Sequence, residues 1–287
     1  MAPSYDKSAY VKRIESANID MNDYPAGQQV TYKYYVGRYH LFQHQLRKVV
    51  SEDYLDVSCY TLYYCIFFHD YPLLIMMASH VDCQLLQSRI QAEADLEFAF
   101  RRCTKYHYEN KRHIFIHLLT VKLILGYIPT PALLARYGLT VPFADLIKAM
   151  LSGNVAQYTA VLDAHMEWFL RTSNYMLLRE RGKVVVWRNL FKKVYNITRN
   201  PTRNGPPQIR IDHCLIALRL STLDSYDYMD AESLLVSLLD QGYLKGYIQH
   251  YLHIVVLSKQ NPFPPVATVQ ITTEVYDESL NQRDRDE

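Results

Sequence analysis

Residues 184–211 read VVVWRNLFKKVYNITR, then NPTRNGPP, then QIRI, and the parsing of this stretch decides the fold. The first sixteen residues suit a helix. Leu190, Phe191, Val194 and Ile197 share one side at a 3.6-residue period, while Arg188, Lys192 and Arg199 share another, with Lys193 beside them. The Pro/Asn/Gly-rich run 200–207 ends that helix. A short strand is expected over 208–211. Asp212 is expected to cap a helix over 213–221, and Asp230 another over 231–241, with Leu234, Leu235, Leu238 and Leu239 inward and Gly242 as its stop. Two β-like runs follow, 243–249 and 252–258, joined at His250-Tyr251. Helix, strand, helix, helix, hairpin is the order of a winged helix.

Upstream the periodicity is helical outside residues 49–91. Tyr35, Tyr39, Phe42, Leu46 and Val49 form one stripe of a helix over 30–48. A second helix begins near Ala92 with Leu96, Ala99, Cys103 and Tyr106 inward, and a third spans 111–125 with Ile114, Leu118, Val121 and Leu125 aligned. Thr130-Pro131 opens a short helix that stops before Gly138, and Pro142 opens one ending near Gly153. Asn154 caps the next, in which Val155, Tyr158, Leu162 and Phe169 recur. Antiparallel helices on short connections stack into a superhelix, here without a fixed sequence period. Only 9 of 287 residues are glycine, which also favours helices over many tight turns. The fold class is therefore mainly α: a TPR-like helical-repeat superhelix followed by a C-terminal winged-helix subdomain.

Formal charge is +2, but the sum conceals its distribution. Residues 1–180 carry 18 basic and 17 acidic side chains, residues 181–273 carry 11 and 6, and residues 274–287 carry 2 and 6. From Arg181 to Ile211 there are eight basic residues (Arg181, Lys183, Arg188, Lys192, Lys193, Arg199, Arg203, Arg210) and no acid. The wing region 241–273 adds Lys245, Lys259, His250 and His253, again without an acid. Such a surface neutralises phosphates and binds nucleic-acid backbone without reading sequence. The bland alternatives are a solvated face or a patch for an acidic protein. The last helix before the wing carries Asp230, Glu232 and Asp240 and no Lys or Arg, so base reading in a major groove is disfavoured.

Phosphate loops and the GxSxG elbow are absent from the sequence. His113 and His117 stand four apart, a spacing that could hold a metal, but Ile-Phe-Ile separates them and no third ligand is evident. No enzyme, cofactor or metal is expected. Five cysteines form no CxxC pair, and the start MAPSYDKSAY has no apolar signal core, which points to a reduced protein of the cytosol or nucleus. Residues 49–91 include VSCYTLYYCIFFHDYPLLIMMASHV, an apolar Tyr/Cys-rich run that Asp70 and Pro72 interrupt. It is read as an insertion, not as a membrane span.

The runs VTYKYYVGR (30–38), NKR (110–112), WRNLFKKVY (187–195), GYLKGYI (242–248) and VLSKQNPFPP (256–265) resemble the PCI domain-containing protein 2 family. That family is shared by the PCI subunit of the TREX-2 mRNA-export complex and by signalosome-associated twelve-type proteins. The likeness covers about 24–47 and 92–266. It implies a PCI domain, right-handed helical repeats fused to a winged helix, without catalytic activity. It further implies a large export-factor scaffold subunit and a small acidic subunit shared with the proteasome lid as partners, and a surface for RNA or DNA backbone, in the nucleus at the nuclear pore with some protein in the cytoplasm.

Arg188, Lys192, Lys193, Lys245 and Lys259 lie in matching runs and carry over as contact candidates; Arg199, Arg203 and Arg210 rest on charge alone. The implied organisation is a helical remnant of a longer N-terminal region (1–48), the insertion (49–91), helical repeats (92–181), the winged helix (182–266) and an acidic tail (267–287). Residues 49–91 interrupt the family pattern, as a lineage-specific insertion or a mis-spliced gene model would. A signalosome-like assembly subunit without nucleic-acid contact is the alternative reading.

Overall fold

The computed structural model describes residue 16 and residues 21–42, 89–199, 205–222 and 225–269. The apolar run 49–88, the tail from 270 onward and Arg203 lie outside the described residues.

Helix α1 (Ala26–Phe42) buries Gln29, Val36, Gly37 and Leu41. The expected stripe is displaced by one position: Tyr35 is 62% exposed. The reason is a close approach at Gly37, where a Cβ would stand 2.8 Å from Leu96 Cγ. A glycine there lets α1 settle onto α2, the helical residues 89–102, along the Val36–Gly37 face. Lys33 Nζ then reaches the buried Asp95 at 2.6 Å. On α2, Ala92, Leu96 and Ala99 face inward, as does Cys103 just beyond it, but Tyr106 is 85% exposed because the chain leaves the helix before it.

Helix α3 (Tyr108–Ile124) is the central element, with Ile114 through Val121 all buried. The short α4 (Pro131–Arg136) and then α5 (Thr140–Ser152) follow the proline and glycine punctuation. Gly138 and Gly153 both take positive φ, 62° and 70°. Asn154 caps α6 (Val155–Ala164) by accepting Gln157 N–H at 2.9 Å. Phe169 is buried as expected but belongs to a separate helix, α7 (Met166–Arg171), where it meets Phe143 edge-on at 5.5 Å.

Next, Tyr175–Leu177 is α-helical, Leu178–Gly182 widens into a π turn, and α8 (Lys183–Thr198) continues without a break. The widening has a visible cause. Buried Tyr158 donates its hydroxyl to Leu178 O at 2.8 Å, and a Cβ on Gly182 would collide with that same hydroxyl. Helix α8 packs on α5 and α6 of the repeat and also on the elements that follow it.

Those elements are β1 (Gln208–Arg210), α9 (Ile211–Ser221), α10 (Tyr228–Asp240), β2 (Gly246–Gln249) and β3 (Ile254–Leu257). The sheet order is β1-β3-β2, antiparallel throughout, with Gln208 opposite Val256 and Gly246 opposite Leu257. Two caps differ from expectation. Helix α9 starts at Ile211, so Asp212 lies in its first turn and not at its cap. Helix α10 starts three residues early on a capping box, in which Asp227 accepts Asp230 N–H and Asp230 accepts Asp227 N–H, each at 2.8 Å. A reciprocal pair satisfies two orphan donors where Asp230 alone would satisfy one. The fold is a helical repeat running into a winged helix.

Candidate nucleic-acid interface

Three passages of chain are knotted at one end of the sheet. Leu257 N–H donates to Pro207 O at 2.7 Å, Ser258 N–H to Lys245 O at 2.8 Å, and Lys245 N–H to Pro262 O at 2.9 Å. Lys245, at the start of β2, and Lys259, just past β3, are therefore neighbours across the hairpin's open end, and both are exposed. From this knot the segment Asn261–Pro265 returns across α8. Phe263 is buried there, with its ring 5.8 Å from that of Tyr195.

Arg188 holds that return in place. Its Nη2 donates to Phe263 O (3.2 Å) and Pro264 O (2.7 Å), and its Nη1 to Asn189 Oδ1 (2.9 Å). At 6% exposure it is an interior side chain, and burial pulls its pKa below the ordinary arginine value. The expectation that Arg188 contacts phosphate is therefore corrected: its donors are spent on backbone carbonyls. Helical spacing put it on the basic stripe, and the stripe holds only one turn further along. Lys192, Lys193 and Arg199 are exposed. Ile197, assigned to the core, is 74% exposed, because the last turn of α8 projects beyond the elements that cover its apolar side.

Arg210 stands apart from this group. It pairs with Ile254 at the opposite end of β3, and its guanidinium is 2.9 Å from Asp212. The sheet thus separates Arg210 from Lys245 and Lys259 and gives it an acidic neighbour. The wing histidines are also engaged: His250 Nδ1 lies 2.7 Å from Glu232 and His253 Nδ1 2.6 Å from the Tyr228 hydroxyl. They tie the wing tip, Gln249–Ile254, to α10 instead of adding free positive charge.

What the structure brings together is Lys192 and Lys193 on α8 with Lys245 and Lys259 at the knot, linked by the clamped segment 262–264. None of the four lysines has an ion-pair partner among the described residues. No acid occurs anywhere in 183–211 or 241–269. Sequence reading missed the wing's aromatics: Tyr251 is 94% and Tyr247 59% exposed, so each offers a free ring face. The signal was available, since a polar hairpin has little reason to keep two tyrosines, but strand assignment absorbed them.

His113 and His117 do not form a metal site. His113 is exposed and bonds Glu109 O at 2.8 Å, whereas His117 is buried at 3.3 Å from Asn174 Oδ1. Burial, with Arg38 nearby, pushes the His117 imidazole down to about 4. Among the described residues no group of three or more His, Cys, Asp and Glu could hold a metal ion, and no helix is long and apolar enough to cross a membrane.

A repeat of antiparallel helices feeding one continuous helix into a winged helix defines a PCI-domain protein. The chain is 33% identical to PCI domain-containing protein 2 of Xenopus laevis over 259 residues, 90% of this chain and 52% of that one. It is 32% identical to the protein of the same name from Danio rerio over 259 residues, again 90% and 52%. A PCI domain-containing protein of Schizosaccharomyces pombe is 42% identical over 185 residues, 63% of this chain and 42% of its own length. No protein-family model matches. The chain belongs to the PCI domain-containing protein 2 family and spans about half the length of the curated relatives it matches.

Proposed function

We propose that this chain is a non-catalytic scaffold subunit of a TREX-2-like complex, working in the nucleus at the nuclear pore and coupling transcription to mRNA export. In this reading it joins a large export-factor scaffold subunit and a small acidic subunit, and contributes a sequence-independent surface for RNA or DNA backbone. Family membership supports the assembly role. The observation that supports the nucleic-acid role is the group Lys192, Lys193, Lys245 and Lys259: four exposed lysines without an ion-pair partner among the described residues, in segments of the winged helix whose sequence contains no acid. Exposed lysines of this kind neutralise phosphates, and Tyr247, two residues from Lys245, supplies a stacking face for an unpaired base. Helix α10 carries Asp227, Asp230 and Asp240 at its ends, so backbone contact is favoured over groove reading.

The test is fluorescence anisotropy of a 3′-labelled single-stranded oligonucleotide titrated with the full chain across a salt series. Reversing Lys192, Lys193, Lys245 and Lys259 to Glu is expected to flatten the log–log salt slope by about 2–3, at roughly 0.7 per phosphate contact for single strands. An unchanged affinity and slope would leave the signalosome-like assembly reading in its place. Affinity purification from cells, with identification of the co-purifying subunits, tests the partners.

A further inference from the structure

We infer a second nucleic-acid contact on the helical repeat, where Lys105, Lys111 and Arg136 take a backbone phosphate and Tyr106 stacks an adjoining base. The three cations meet in a cavity of about 60 Å³ between the α2–α3 turn and the end of α4, lined by Lys105, Tyr108, Lys111, Arg136 and Tyr137. Small-molecule sites run to about 300–1,000 Å³, so this cavity holds one group of a larger ligand. Three cations and no acid line it.

The walls are fixed. Tyr108 stacks on Tyr137 with ring centroids 5.8 Å apart and an 11° interplanar angle, and its hydroxyl donates to Arg136 O at 3.1 Å. Lys111 is half-buried, donating to Cys103 O at 2.7 Å with its ammonium 5.0 Å from the Phe100 ring centroid. Its charge and those of Lys105 and Arg136 have no carboxylate partner among the described residues. This contrasts with the cations beside them: Lys122 is taken by Glu93 and Glu97, and Arg101 by Glu97. Residues 98–144 carry seven basic side chains and one acidic one, Glu109, an imbalance that disappears when charge is summed over 1–180.

Positive charge in a small rigid cavity selects an oxyanion, and Tyr106 selects among oxyanion carriers. It is 85% exposed at the adjoining turn, with Lys105 Nζ 5.7 Å from its ring. A carboxylate of an acidic peptide would satisfy the cations and leave that ring without a use. A nucleotide uses both, phosphate in the cavity and base on the ring, which is how single-strand platforms are built.

The experiment starts from the full chain carrying Lys192→Glu, Lys193→Glu, Lys245→Glu and Lys259→Glu, so that the winged-helix surface is silenced, and measures low-salt binding of a 3′-labelled oligo(dT). Residual binding is expected. Tyr106→Ala should weaken it about fivefold or more, and Lys105→Glu with Arg136→Glu about tenfold or more with a shallower salt slope. Circular dichroism melting should stay at the parent temperature, since all three side chains are exposed. The inference is overturned by an absence of residual binding in that background, or by residual binding indifferent to the Lys105/Arg136 pair. It is equally overturned if polyglutamate competes for the site while Tyr106→Ala changes nothing, which would make this an acidic-peptide site. Failure of the winged-helix reading shows separately, as parent-like binding by the four-lysine variant before any of these changes.

Discussion

Replacing Arg188 with alanine separates a structural clamp from a phosphate contact. The guanidinium makes two bonds to the carbonyls of Phe263 and Pro264, and both acceptors are left without that donor when it is removed. Hydrogen bonds to a charged group are worth about 1.5–3 kcal/mol each, so the gross loss is about 3–6 kcal/mol. Relief of burying a cation, one of whose nitrogens (Nε) already lacks a partner, returns part of it. The net expectation is a destabilisation of about 2–4 kcal/mol. At roughly 2–4 °C per kcal/mol for a chain of this size, the melting temperature should fall by about 5–15 °C. Urea denaturation followed by far-ultraviolet circular dichroism measures this, alongside nucleic-acid affinity of the folded fraction. Arg188→Lys should fall between, because an ammonium cannot reproduce the forked geometry. A variant that unfolds at the parent midpoint but loses tenfold or more in oligonucleotide affinity would refute the clamp and restore Arg188 as a contact.

Three further expectations follow from the same geometry. Gly153→Ala should cost more than about 1 kcal/mol, since φ is 70° and the new Cβ would stand 2.7 Å from Leu190 Cα; urea midpoints check it. Tyr158→Phe should lose about 0.5–1.5 kcal/mol by removing the buried bond to Leu178 O, read as a lower melting temperature with an unchanged m-value. His117, pushed down to about 4, stays neutral in the fold while the unfolded chain takes up its proton below about 6.5. Its contribution is therefore fully present above that pH and lost as pH falls toward 4, about 3 kcal/mol in all, and His117→Gln should flatten stability against pH across that window.

Periodicity and punctuation located the helices well, because glycine at positive φ and asparagine at a cap act locally: Gly138, Gly153 and Asn154 all sit where their chemistry places them. Errors arose where distant chain decided the outcome. Arg188 shares a helical face with Lys192, and nothing within sixteen residues says that 263–264 will return to cover one and leave the other bare. Tyr35 was placed inward by its spacing, but the close approach of Leu96 at Gly37 rotated α1 onto its neighbouring face. Arg210 and Lys245 look equivalent in a list of charges, and strand order sends them to opposite ends of the sheet. Charge summed over long windows found the winged-helix lysines and averaged away the cavity at Lys105, Lys111 and Arg136.

The π turn at Leu178–Gly182 has a mechanical meaning. The compositional boundary between repeat and winged helix, near residue 182, falls inside one uninterrupted helical shaft from Tyr175 to Thr198, held to the repeat where Tyr158 bonds Leu178 O. No loop separates the two halves along this shaft, and α8 packs on both of them. A torque applied where a partner grips the repeat would be delivered to the wing instead of being absorbed between them, so the two halves should behave as a single lever arm within any assembly that holds them.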